Sequence, residues 1–229
     1  MEDIKTNKEE KEQNPLDIFN KKYETDLTID MNNILIKNKN IGNEGFQLLS
    51  QIPFNNLDII VSLNLPQNNI SDISPLLKMN LSNLHILSLA NNRIEGIEIF
   101  EKLNLSHLET LNLINNKLKE FTALSKINLI NLHHLLLGLN RINDINALEF
   151  MHCPDLETID LYQNEIKDIT VFERIKFPKL RELSFANNYF DHEIIKNYDI
   201  ISNLRKKGCN VIIWGTIKQV LIQSSLSLD

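Results

Sequence analysis

The sequence predicts an α/β solenoid: a right-handed horseshoe with a parallel β-sheet on its concave face and short helices or 3₁₀ turns on its convex face. Three observations predict it. An asparagine recurs every 24 residues, at Asn68, Asn92, Asn116, Asn140, Asn164 and Asn188. Two apolar columns keep step ahead of it, Leu63, Leu87, Leu111, Leu135, Ile159 and Leu183, then Leu65, Leu89, Leu113, Leu137, Leu161 and Phe185. The second half of each unit repeats as well, with Ile73, Ile97, Phe121, Ile145 and Ile169 in phase. A fixed internal period of this length marks stacked units, none of which can bury its apolar face alone.

The elements follow in chain order. Residues 1–14 are polar and read as a tail. Leu16, Phe19 and Tyr23 share one face at helical spacing, so 15–30 reads as an N-terminal cap built on a helix from Pro15. The repeats occupy 31–190. They open with Met31, Ile34, Ile36 and Ile41, and the next unit starts 29 residues later at Ile60. Within a unit, LxL alternates with period two and reads as a strand with one buried face. The Asn after it both donates and accepts, so it can satisfy backbone groups in the turn, and the six-residue column reads as a structural ladder. Residues 191–229 read as a C-terminal cap. Ile194 to Leu204 marks a helix that ends at Lys206-Lys207-Gly208, with cations at the negative end and a glycine stop. A strand follows from Asn210 to Trp214. In it Ile212 and Trp214 sit 29 residues after Leu183 and Phe185 and are the expected inward pair, Trp214 as a core capping residue. The apolar stretch Ile217 to Leu226 is expected to fold back over the end.

Written out, each unit is LxxLxLxxNxI followed by xxIxxLxxIxL. The pattern resembles the leucine-rich repeat family over roughly Met31 to Trp214. Asn69-Ile-Ser-Asp-Ile-Ser-Pro-Leu76 is similar to the short repeats of internalins and phosphatase-regulatory leucine-rich proteins, although those units are typically about 22 residues long. Ile41-Gly-Asn-Glu-Gly45 resembles the start of a longer, helix-bearing unit of ribonuclease-inhibitor type, with Lys39 in the Asn position. The plant receptor signature GxIP is missing. The resemblance implies a protein partner held on the concave face.

Composition narrows the function. The chain has 24 Lys plus Arg against 30 Asp plus Glu, a net charge of −6, which disfavours nucleic acid and polybasic membrane attachment. No apolar run approaches the ~20 residues of a membrane span. The charged N-terminus MEDIKTNKEEKEQ lacks the apolar core of a secretion signal. Cys153 and Cys209 stand far apart, outside any CxxC pair, and fit a reducing compartment. The expectation is a cytoplasmic or nuclear monomer without a cofactor. The sequons at Asn69, Asn80 and Asn104 then read as coincidences of an Asn-rich chain.

No GxSxG, P-loop, HExxH or GxGxxG motif is present, so no enzyme is expected. His133 and His134 with Asp160 form the alternative, a metal or catalytic role. Adjacent strand residues point to opposite faces, which opposes chelation by the His pair. His85, Glu109, His133, Glu157 and Arg181 are again 24 apart and read as a cross-strand charge ladder. The variable positions of the concave face are mostly small or polar. One group departs from that: Ile114, Leu136, Leu139 and Tyr162 around Gly138, which is expected to leave a notch. His134, Thr158, Asp160 and Glu182 border it. An apolar centre with a polar rim has the make-up of a protein interface, so these eight side chains are the candidate partner-binding residues. The function expected is a non-catalytic interaction module: an adaptor, a regulatory subunit or an inhibitor. The alternative within this class is an effector exported by an intracellular microbe and binding in the same way.

Overall fold

The structure, a computed structural model, describes residues 14–28, 32–54, 60–190 and 195–213. The expected tail (1–13), Met31, Ile194, Trp214 and the Ile217–Leu226 stretch lie outside the described residues.

The helix α1, Pro15–Tyr23, starts where Asn14 Oδ1 accepts the Leu16 N–H at 3.0 Å, with Pro15 at its first turn. It stops at Glu24, whose φ of 51° is left-handed, and so it covers less than the span 15–30. The Asn20 side chain then folds the chain back, accepting from the Leu27 N–H at 3.0 Å and donating to the Leu27 carbonyl at 2.8 Å. Phe19 and Tyr23 are buried. Tyr23 closes over Gly45 of the second helix, α2 (Gly42–Leu49), where an added Cβ would lie 2.7 Å from the ring.

Three-residue strands repeat along the chain: β1 (Asn33–Leu35), β2 (Ser62–Asn64), β3 (Ile86–Ser88), β4 (Thr110–Asn112), β5 (His134–Leu136), β6 (Thr158–Asp160), β7 (Glu182–Ser184) and β8 (Asn210–Ile212). Among the described residues they form one open parallel sheet in sequence order. Ile34 stands beside Leu63, as the 29-residue first step requires, and the interior strands align at 24. The middle leucines are fully buried, so each unit closes over the next and the core runs continuously from Phe19 to Val211.

Convex segments are short because 24 residues leave little room. Five units carry 3₁₀ turns, at Ser74–Lys78, Glu98–Lys102, Thr122–Lys126, Asn146–Phe150 and Thr170–Glu173. Asp72, Asp144 and Asp168 each accept the N–H two residues on, at 2.8 Å, and thereby start three of these turns. That bond is also what holds the Asp168 carboxyl below the usual range. Asn80 and Asn104 are likewise turn residues, since Ser82 and Ser106 donate hydroxyl hydrogen bonds to them at 2.9 and 2.8 Å.

The Asn column lies under the turn after each strand. Asn116 is representative. Its Nδ2 donates to the carbonyls of Leu89 (2.9 Å), Leu113 (3.1 Å) and Ile114 (3.4 Å), and its Oδ1 accepts the Ile94 N–H at 3.0 Å. Each Asn therefore satisfies its own turn and the turn of the unit before it. Asn92, Asn140, Asn164 and Asn188 repeat the geometry. At Lys39 the ladder has no Asn, and there the backbone N–H donates to Asn68 Oδ1 at 3.1 Å.

The C-terminal step departs from the expected register. The third helix, α3 (Ile195–Lys206), ends through Gly208, with φ of 88°. The next strand then pairs Leu183 with Val211 and Ser184 with Ile212, a step of 28 rather than 29. Val211 is the buried residue, and Ile213 packs against the core beside it. A slip of one residue exchanges the two faces of a strand, so Ile212 turns to the concave side instead of inward. Cys209, two residues before Val211, is buried as well, as the alternation of the strand requires.

Candidate functional site

The concave face is built by the first and third residues of each strand and by the turn that follows. Parallel pairing brings His134 beside Thr158, Thr158 beside Glu182, and Leu136 beside Asp160. The eight candidate residues thus come from neighbouring units and form one contiguous region.

Their exposure differs from the expectation. Ile114 is 7 % exposed, Leu136 6 % and Tyr162 3 %, so the apolar patch is largely internal to the concave layer. Ile114 and Leu136 pack with Ala90, while Tyr162 packs with Ala186. Large side chains on adjacent strands, less than 5 Å apart, cover one another. Leu139 is half-buried and packs against both groups, which makes it the link between them. His134, Thr158 and Glu182 are also half-buried. The accessible centre is therefore Leu139 with a polar rim rather than a four-residue apolar platform.

The expected notch at Gly138 is filled. A Cβ built there would lie 2.7 Å from Asp160 Oδ2, so the carboxylate occupies the space a side chain would take. Asp160 is 4 % exposed, and its Oδ1 accepts the Tyr162 N–H at 2.9 Å. Asn112, in the same column two units earlier, makes the equivalent bond to the Ile114 N–H at 3.1 Å. Asp160 thus performs a structural task that a neutral amide performs elsewhere in this chain. Burial pushes its pKa up to about 6; the Tyr162 N–H and the Ser184 hydroxyl draw it down, and the Glu182 charge adds to the rise. Burial also raises Glu182. Burial lowers His134 below its ordinary value, with Glu157 pulling the other way and His133 reinforcing the fall. Tyr162 is anchored at its tip, its hydroxyl accepting from Asn187 Nδ2 at 2.9 Å.

Backbone geometry supplies a feature that the residue patterns alone had not brought out. The residue before each ladder Asn is left-handed: Gln67, Asn91, Asn115, Leu139, Gln163 and Asn187 have φ between 50° and 60°. Five are Asn or Gln. Leu139, at 58°, is the exception, and a branched aliphatic side chain is poorly suited to that region. The clue was present in the sequence, as an Asn/Gln column broken once.

The charge ladder joins at its two ends, His85 to Glu109 at 3.9 Å and Arg181 to Glu157 at 2.7 Å. The His133 and His134 rings lie 6.3 Å apart. Among the described residues no cluster of three or more His, Cys, Asp or Glu side chains is arranged to hold a metal. Burial pushes the Cys153 thiol up to about 12 and the Cys209 thiol to about 11, where neither is a nucleophile at neutral pH. Among the described residues no helix is long and apolar enough to cross a membrane.

The sequence profile described as "Leucine Rich repeats (2 copies)" matches residues 82–126 and 130–174. No curated protein sequence matches the chain. Among solved structures it is similar to an internalin from Listeria monocytogenes, at 25 % identity and a TM-score of 0.56, over 79 % of this chain and 49 % of that one. It is also similar to a leucine-rich repeat protein from Leptospira interrogans, at 22 % identity and a TM-score of 0.53, over 73 % of this chain and 38 % of the other. The chain therefore spans half or less of these two proteins. With six asparagines bonded in register, a parallel sheet with one strand per unit and this likeness, the chain is folded as a leucine-rich repeat solenoid, a fold whose domains generally serve as protein–protein interaction modules and typically lack catalysis.

Proposed function

We propose that the protein is a non-catalytic module that binds a protein partner on its concave face, centred on Leu139 and rimmed by His134, Thr158 and Glu182, and acts as an adaptor, regulatory subunit or inhibitor. Ile114, Leu136, Asp160 and Tyr162 support the surface from beneath. Leu139 carries the reading. Five units fill its left-handed position with Asn or Gln, while this unit holds a half-buried aliphatic side chain there in a disfavoured conformation. Conformational strain of this kind persists where a side chain has a use that outweighs it. The concave positions from β2 to β7 contain no Lys or Arg, in keeping with a partner other than nucleic acid. The protein works as a monomer in the cytoplasm or nucleus on this reading. Export as an effector, in keeping with the internalin likeness, uses the same face.

The test is Leu139→Asn. Relief of the left-handed leucine, about 1 kcal/mol, offsets a similar loss of apolar contact. Thermal unfolding is therefore expected within about 1 kcal/mol of wild type. Affinity capture read by mass spectrometry should lose a partner that the wild type retains. Undiminished capture by a stably folded Leu139→Asn protein would contradict the proposal.

A further inference from the structure

The strand β8 is reached through a helix, and this leaves a gap in the wall of the solenoid. In the units before it an apolar column leads into each strand, Leu84, Leu108, Leu132, Leu156 and Leu180, and each member is covered by the unit that follows. Counted back from the Leu183–Val211 pair, the place beside Leu180 falls to Gly208. Gly208 has the φ of 88° that ends α3, and an added Cβ there would meet no atom within 4 Å. Leu180 is accordingly 9 % exposed, whereas Leu84, Leu108, Leu132 and Leu156 are at 0 %. The result is a half-open hollow of about 610 Å³ between residues 172–180 and the end of α3, within the ~300–1,000 Å³ of small-molecule sites. Phe177, Leu180, Leu204 and Cys209 form its apolar floor, and His152, Lys176 and Lys207 stand around it. Among the described residues no carboxylate lines it, on a chain whose net charge is −6.

We propose that this hollow binds a small anionic amphiphile: a free carboxylate with an unbranched apolar chain, of fatty-acid type. The chain lies on the floor of Phe177, Leu180, Leu204 and Cys209, and the head faces Lys176 and Lys207. Charge complementarity selects this occupant. Asp155 and Glu173, next in sequence to the lining residues Pro154 and Phe172, have cations of their own, Lys179 at 2.7 Å and Lys196 at 3.8 Å. Lys176 and Lys207 enter no ion pair among the described residues, so their charge is available at the margin of the hollow. A neutral apolar ligand leaves both ammonium groups unused, and a small anion leaves the floor uncovered; an amphiphile satisfies the two together, burial supplying affinity and the lysines fixing its direction. A bilayer surface fits less well, because it needs a broad cationic face and here two carboxylates stand beside the lining residues. The hollow lies off the concave face, so it is separate from the partner surface proposed above.

The experiment titrates decanoate, below its micelle-forming concentration, into the ¹⁵N-labelled full chain. Amide signals of Leu180, Leu204, Lys207 and Gly208 are expected to shift saturably, while those of Ile86 and Thr110, on the concave sheet, stay in place. Decanol supplies the tail alone and butyrate the charge alone, and each is expected to bind about tenfold more weakly or worse. Lys176→Gln with Lys207→Gln, at two exposed positions, should weaken decanoate about tenfold and leave decanol binding and the unfolding midpoint unchanged. Absence of a saturable shift at the four amides would overturn the proposal. So would equal binding of decanol and decanoate, or an unchanged decanoate affinity in the double variant. Co-sedimentation with phosphatidylglycerol vesicles, while monomeric decanoate shifts nothing, would assign the hollow to a membrane surface and contradict the proposal.

Discussion

Asn140→Ala is expected to lower unfolding stability by about 2 kcal/mol. The substitution removes Nδ2 bonds to Leu113, Leu137 and Gly138 at 3.0, 3.0 and 3.2 Å, and strands the Leu118 N–H that Oδ1 accepts at 3.0 Å. A stranded buried donor costs roughly 1–3 kcal/mol, and the lost bonds add about 1 kcal/mol each where no other donor serves the carbonyl. Leu113 and Leu137 retain bonds from Asn116 and Asn164, and Gly138 retains one from the Asn115 N–H, which keeps the total near the lower end. The same change at Asn188, which is half-buried at the end of the ladder, should cost visibly less because water can replace the amide. Urea unfolding of the two variants measures the difference. Equal losses, or a loss under 1 kcal/mol at Asn140, would mean that leucine packing alone sets the turn.

Asp160→Asn is expected to stabilise the protein at pH 7 by about 2–3 kcal/mol. Asn112 shows that an amide fits this column and accepts the same N–H. The sign follows from the raised pKa. A carboxyl that titrates at about 6 when folded and near 3.8 when unfolded keeps its proton longer in the folded state. Wild-type stability therefore falls as pH rises from about 4 to about 6 and then levels off, with the displacement corresponding to about 3 kcal/mol. The Asn variant lacks this fall, so the two proteins should converge near pH 4 and separate above it. Parallel stability curves across pH 4 to 7 would show that Asp160 is ionised without cost.

The two substitutions divide what could be read in the sequence from what could not. Asn140 could be read: its period places it after every strand, and its chemistry offers both a donor and an acceptor where a turn needs both. The register from Ile34 to Leu183 could be read for the same reason, because apolar columns with one buried face admit one alignment. The environment of Asp160 could not. Its burial depends on Gly138 in the turn after the preceding strand and on Tyr162 two residues on, so a residue that looked like a rim carboxylate lies beneath the surface. Ile114, Leu136 and Tyr162 misled in the same way. A column shows which face a side chain takes and not how far its neighbours on adjacent strands cover it. The register at Val211 could not be read either, because with a helix between the two strands no repeated column fixes the step, and spacing alone measured it one residue too long.

A photo-crosslinking residue placed at Thr158, in the middle of the concave rim, and separately at Phe150, which is 69 % exposed on the convex side, would locate the binding surface. Each protein is irradiated in native lysate, and the adducts are identified by mass. If the concave face holds the partner, Thr158 gives a discrete protein adduct that Leu139→Asn removes, and Phe150 gives none. A discrete adduct from Phe150, with none from Thr158, would contradict concave binding and move the site to the convex side.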